Sequence, residues 1–256
     1  MGKCKPSPRL ATTHKCVATS IITKLVFSIR KKKKSNIKRK IEIALRFFHF
    51  YVRIRNEKIH KKATCSTCGG LKCMRVIAGE CKGRPLKSVP GLSTRPTADK
   101  VKEALFNMVG PYFEGGFGLD LYAGSGALGI EALSRGLDKV VFVDRDYRAV
   151  QTIKENVERC GYSQKAETFC NDAKLALKAL KKRGMRFSLI MLDPPYQKQR
   201  LVSEIDAIQR DQLLMDEGYI VVEHTNQVAL PTRIGRVIKK KEGAYGKTMI
   251  SIFACE

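Results

Sequence analysis

The stretch Leu119-Asp120-Leu121-Tyr122-Ala123-Gly124-Ser125-Gly126-Ala127-Leu128-Gly129-Ile130-Glu131-Ala132-Leu133 decides the fold. An apolar run enters a glycine-rich turn, and the turn opens a helix with Ala and Leu at helical spacing. Glycines at 124 and 126 let the turn close tightly with no Cβ in the way. The helix start then directs free N–H groups at whatever lies above the strand. Gly124, Gly126 and Gly129 spell G-x-G-x-x-G, the pattern of a dinucleotide-binding turn. About 20 residues later, Val140-Val141-Phe142-Val143 ends in Asp144, where a carboxylate can hold two ribose hydroxyls. A glycine pattern by itself often marks only a tight strand–helix turn. The acid at this distance favours a nucleoside-containing ligand.

Further along, the buried-strand run Phe187-Ser188-Leu189-Ile190-Met191-Leu192 ends in Asp193-Pro194-Pro195-Tyr196. Two prolines after a strand end its ladder and hold the chain in a rigid, extended turn. That rigidity aims the Asp193 carboxylate and the Pro194 carbonyl at one small volume, with the flat Tyr196 ring beside it. Two acceptors and a ring suit a planar base whose exocyclic NH2 must be gripped. Hydride transfer has no use for that arrangement, which makes an NAD dehydrogenase the weakest reading.

Asp120-x-Tyr122-x-Gly124-x-Gly126, Asp144, Asn171-Asp172 and Asp193-Pro194-Pro195-Tyr196 resemble the motifs of class I S-adenosylmethionine methyltransferases that modify amino nitrogens. Met74-Arg75-Val76-Ile77-Ala78-Gly79, Arg95-Pro96-Thr97, Glu103-Ala104-Leu105-Phe106-Asn107 and Tyr245-Gly246-Lys247-Thr248 are similar to the RsmD family in particular. The resemblance spans residues 74 to 256. It implies methylation of a guanine N2 in small-subunit (16S) ribosomal RNA, with S-adenosyl-L-methionine as cofactor. Gly124 and Gly126 would then approach its methionine part, and Asp120 its ammonium. Tyr122 belongs to the same motif, Asp144 would bind the ribose, and Asp172 would accept from the adenine amino group or cap a helix. Asp193, Pro194 and Tyr196 form the expected catalytic turn. The same turn would also serve adenine N6 in nucleic acid or a glutamine amide in a protein. A noncatalytic, basic ribosome-associated protein is the rival from another class.

The expected fold is α/β: a class I methyltransferase Rossmann-like domain at 97–256, with a mainly parallel, seven-stranded sheet covered by helices on both faces. Strands are expected at 119–122, 140–143, 166–170, 187–192 and 219–223, followed by a hairpin of 236–240 with 248–253. Helices should start near Thr97 and Asp146, lead from Asp172 towards Gly184, and span about 200–214. Ahead of this domain, residues 74–96 read as a small β-hairpin around Gly79 to Gly83. Its Arg75, Lys82, Arg84, Lys87 and Arg95 suit an RNA-contacting flap. His224 reads as a satisfied loop histidine.

Charge divides the 256-residue chain, whose net charge is +25. Residues 1–73 hold 20 Lys and Arg against 2 acids, and residues 74–256 hold 29 against 22. A basic bias favours phosphate-bearing partners; the resemblance implies that the partner is ribosomal RNA in an assembling 30S particle. Three readings compete for residues 1–73: a basic arm, a transit peptide, or translated sequence upstream of a start at Met74. Of the nine cysteines, Cys81, Cys160, Cys170 and Cys255 are expected in the core, without metal-ligand spacing, as small apolar residues in a reducing cytoplasm; Cys65-x-x-Cys68, with Cys73 and Cys81, lacks a second pair, and no metal is expected. No apolar run approaches the roughly 20 residues that span a bilayer. A cytoplasmic monomer is expected.

Overall fold

Apolar runs too short for helices, alternating with amphipathic ones, bury themselves best as a sheet covered on both faces. The computed structural model describes residues 74–91, 99–195 and 200–256. The readings made for residues 1–73, Arg95, Thr97 and Tyr196 lie outside them. Helix α1 (Asp99–Val109) leads into β1 (Phe117–Asp120), α2 (Ala127–Ser134), β2 (Lys139–Asp144), α3 (Tyr147–Arg159) and β3 (Ala166–Cys170). The alternation continues through α4 (Ala173–Lys182), β4 (Phe187–Leu192), α5 (Leu201–Arg210) and β5 (Leu214–Thr225). Strands β6 (Arg233–Ile234), β7 (Val237–Tyr245) and β8 (Thr248–Cys255) close the chain.

The strands form one sheet in the order β3-β2-β1-β4-β5-β8-β7-β6. The first five are parallel, whereas β8 runs antiparallel to β5 and β7 antiparallel to β8. To the seven expected strands the structure adds β6, two residues paired to the outer edge of β7; a segment this short has no periodicity to read. The glycine-turn strand lies two residues earlier than expected. Leu121 is already in the turn yet fully buried, so its apolar character imitated a strand. Similarly, α5 stops at Arg210 because Gln212 adopts a positive φ of 55° and Leu214 begins β5.

One face of the sheet packs Val140, Phe142, Leu189 and Met191 against Leu105 and Phe106 of α1, Ile130 and Leu133 of α2, and Ile153 and Val157 of α3. The other packs Leu119, Val141, Ile190 and Leu192 against Leu177 and Leu180 of α4 and Ile205 and Ile208 of α5. Gly129 sets how close α2 can come. A Cβ there would stand 2.2 Å from Cε1 of Phe142, so the third glycine of the motif serves helix–strand packing.

Residues 74–89 turn back as the expected hairpin, although it is joined by a single bridge, Arg75 to Pro85. The hairpin is no loose flap. Glu131 of α2, fully buried, accepts from the N–H groups of Ile77 (2.7 Å) and Ala78 (2.9 Å) and from Arg135 Nε (2.9 Å). Buried Lys102 stands 3.7 Å from the same carboxylate and donates to the Arg75 carbonyl at 2.5 Å. Ser134 Oγ donates to Ala78 O (2.6 Å) and accepts from Cys81 N (2.9 Å). A Cβ at Gly79 would lie 1.8 Å from Ser134 O, so only glycine fits the seat.

One acid thus pairs with two buried cations and satisfies two backbone donors. Glu131→Ala should destabilise the protein by about 3–5 kcal/mol in urea unfolding, because it leaves uncompensated buried charge. The Ile77 and Ala78 amides should lose hydrogen-exchange protection before the β1 amides do. A loss under about 1 kcal/mol would contradict the anchoring role.

Candidate active site at the carboxyl edge of the sheet

Register lines up the acids. Asp120 pairs with Phe142 on β2 and with Met191 on β4, so Asp144 and Asp193, each two residues further on, flank it from both sides. Cys170 of β3 pairs with Asp144, and Asp172 follows two residues later. The row Asp172, Asp144, Asp120, Asp193 therefore runs along the ends of β3, β2, β1 and β4. Chain order reverses between β1 and β4, the switch point where open α/β sheets bind ligands.

Asp120 is almost fully buried and accepts from the Gly129 N–H of α2 at 3.0 Å. Burial first, then the charges of Asp193 and Asp144, push its carboxyl up to about 7. Asp144 is a brace: Oδ2 accepts from Gly124 N at 2.8 Å and Oδ1 from Asp146 N at 2.9 Å. Asp146 in turn caps α3, accepting from Arg148 N at 2.8 Å. Gly126 is left-handed, with φ 80°, and opens α2; a Cβ on Gly124 would meet nothing within 4 Å, so space lies above the turn. Asp172 caps α4 through Lys174 N at 2.9 Å while its side chain stays exposed. Asp193 is half-buried, Pro194 buried and Pro195 exposed.

Tyr122, half-buried, donates its hydroxyl to Glu204 Oε1 of α5. Burial, this bond and the neighbouring charges of Glu204 and Asp172 push the phenol well above its ordinary range. Sequence reasoning missed Glu204, which is 82 residues from Tyr122 and carries no motif. His224 is a satisfied, buried histidine, between Thr225 O (3.0 Å) and Ser251 Oγ (2.9 Å); it lies within β5 and not in a loop.

The basic candidates sit on the docked hairpin. Arg75 pairs with Asp99 at 3.1 Å, Lys87 with Glu155 at 2.5 Å, and Arg84 donates to Arg159 O; Lys82 is exposed. Exposed pairs of this kind are worth about 0–1 kcal/mol, so a phosphate can displace them. Of the cysteines expected in the core, Cys81 and Cys160 are buried and Cys255 is partly so, but Cys170 is exposed at the end of the sheet's edge strand. Among the described residues no helix is long and apolar enough to cross a membrane.

A family model described as "Conserved hypothetical protein 95" matches residues 74–254. The "Putative rRNA methyltransferase YlbH" of Bacillus subtilis is 51% identical over 180 residues, 70% of this chain and 98% of the relative. "Ribosomal RNA small subunit methyltransferase D" of Escherichia coli K12 is 34% identical over 161 residues, 62% of this chain and 78% of the relative. The chain belongs to the RsmD family. A solved structure, "Putative methyltransferase yhhF from Escherichia coli", superposes with a TM-score of 0.62 at 31% identity, over 71% of this chain and 97% of that one. The eight-stranded RsmD-type sheet described above is thus a class I methyltransferase fold with helices on both faces.

Asp120 makes the site pH-sensitive. Its folded pKa lies above the unfolded value of 3.8, so its contribution to stability is fully present below that value and is lost as pH rises towards 7. Asp120→Asn should therefore gain on the wild type between pH 4 and 7, by at most about 1.4 kcal/mol per pH unit. Urea unfolding of both proteins across that range checks this. A difference independent of pH would mean that Asp120 ionises freely.

Proposed function

We propose that this RsmD-family protein transfers a methyl group from S-adenosylmethionine to the exocyclic N2 of a guanine in small-subunit ribosomal RNA. The single observation that carries the reading is Asp193-Pro194, held at the end of β4 beside Asp120 and Asp144, in a chain whose relatives are named as rRNA methyltransferases. The site residues fit such a cofactor. Asp120 and Asp144 supply negative charge for a cation, Gly124 leaves open space, and Asp172 is an exposed acceptor.

When bound, S-adenosylmethionine supplies a methyl group activated by a positively charged sulfur. In this reading Asp120 would hold its ammonium, Asp144 its ribose hydroxyls and Asp172 its adenine amino group, and the backbone at Gly124 and Gly126 would leave room for its methionine part. The guanine N2 lone pair is delocalised into the ring and nucleophilically weak. Asp193 and the Pro194 carbonyl accept from that NH2, turning the lone pair towards the methyl group and stabilising the positive charge that grows on nitrogen. As the bond from N2 to the methyl forms and the methyl–sulfur bond breaks, the proton that N2 must shed would pass to the Asp193 carboxylate or to water, and the growing charge makes it acidic enough that no strong base is needed. Tyr196 follows Pro195 directly and is assigned to stacking on the unstacked base. Arg75, Lys82, Arg84, Lys87 and Arg95 grip flanking phosphates. Residues 74–256 form the catalytic unit, with 74–96 as its RNA-contacting part.

Isothermal titration should show S-adenosylhomocysteine binding and NAD failing to bind. Asp144→Ala should weaken that binding by about 1–3 kcal/mol. Asp193→Ala should leave cofactor affinity nearly unchanged and cut methyl transfer to small-subunit RNA, or to an assembly intermediate of the subunit, by about 10²-fold or more. Digested product should contain N2-methylguanosine. Label on adenine, or wild-type turnover by Asp193→Ala, would refute the guanine N2 assignment.

A further inference from the structure

Glu204 is a buried acid left without a task by the chemistry above. It stands in the first turn of α5 and is 8% exposed. Oε1 receives the Tyr122 hydroxyl, but among the described residues Oε2 is a buried side-chain oxygen with no hydrogen-bond partner. An orphan of this kind costs about 1–3 kcal/mol and is rare in native folds. A ligand that brings the missing partner removes the cost.

The neighbours indicate which ligand. Tyr122 follows Asp120 by two residues, at the root of the glycine turn. The charge of Asp172 acts on both Tyr122 and Glu204, whereas the acids acting on Asp120 are Asp193 and Asp144. Glu204 stands in the first turn of α5 and Asp172 caps α4, two helices that cover the same face of the sheet, so both acids lie on that side of its carboxyl edge. Burial and the Asp172 charge both raise its carboxyl above the usual range, which favours the neutral acid. With Oε1 accepting from Tyr122, a neutral Glu204 presents Oε2–H as a donor. On the same side of the edge, exposed Asp172 presents an acceptor. A 6-aminopurine has the complementary edge: an amino donor flanked by ring-nitrogen acceptors.

We propose that Glu204 is a second reader of the cofactor's adenine, donating from Oε2 to a ring nitrogen, N1 or N7, while Asp172 accepts from the amino group between them. The inference rests on S-adenosylmethionine being the cofactor. It makes Glu204 a specificity residue on α5, and Tyr122 the group that orients it.

Titration of the whole protein with S-adenosylhomocysteine and its 1-deaza and 7-deaza analogues tests this. The wild type should bind one deaza analogue about tenfold more weakly than the parent, the size of one lost hydrogen bond. Glu204→Ala should bind the parent about tenfold more weakly and no longer distinguish it from that analogue, which makes the analogue an internal control for folding. Glu204→Gln keeps a donor and should stay within about threefold of wild type. Equal weakening towards all three compounds would assign Glu204 a structural role and overturn the proposal, as would unchanged discrimination in Glu204→Ala. Failure of the wild type to bind S-adenosylhomocysteine at all would instead remove the cofactor reading beneath it.

Discussion

Parallel pairing of four neighbouring strands forces four acids into one row, and the site is shaped by the repulsion between them. The ladder leaves Asp144 and Asp193 no choice but to flank Asp120, because each stands two residues beyond a register partner of that residue. Buried between them, Asp120 holds its proton to about pH 7. Asp144 lowers its own cost by gathering two backbone N–H groups, and in doing so ties the glycine turn to the start of α3. A row of acids with open space above Gly124 suits a ligand carrying positive charge. Pyrophosphate, the anion that glycine turns of this pattern often cradle, would meet the wrong field.

A second constraint links the two ends of α2. Gly126 opens the helix at the acid row, and Glu131, Ser134 and Arg135 near its other end seat the basic hairpin. Eight helical residues span roughly 12 Å. The hairpin cations therefore stand at a set distance from the glycine turn, and RNA phosphates gripped there would be measured against the catalytic turn by a rigid rod. This is a different device from a closing flap, and it gives the fully buried Lys102 and Glu131 a task in a core that apolar residues could have filled.

Much of this was legible in the chain because local chemistry and global fold agree. The β3 and β4 runs were read with their observed bounds, since each is a short apolar-rich segment closed by strong punctuation, Asn171-Asp172 and Asp193-Pro194-Pro195. Asp146 and Asp172 announced their helices as caps. Misreadings arose where burial and secondary structure part company: Leu121 is buried inside a turn, and Leu214, buried like a helix residue, already belongs to β5. The long-range polar pairs stayed hidden. Glu131 offered a faint signal, an acid within an apolar helix with Arg135 four residues on. Lys102 gave none, one of two lysines in a helix that also carries acids. Tyr122 and Glu204 meet only because β1 and α5 do, and no local pattern reports a contact between residues 82 apart.

The central claim is that the acid row is matched to a positively charged cofactor. Its most direct measurement is a carboxyl carbon NMR titration of Asp120, in the free protein and with S-adenosylmethionine bound. The free protein should titrate near pH 7 at this carboxyl, and binding should lower that value by about 1 unit or more as an ammonium comes to face the carboxylate. A value that stays unchanged or rises on binding would contradict the match between the row and a cation.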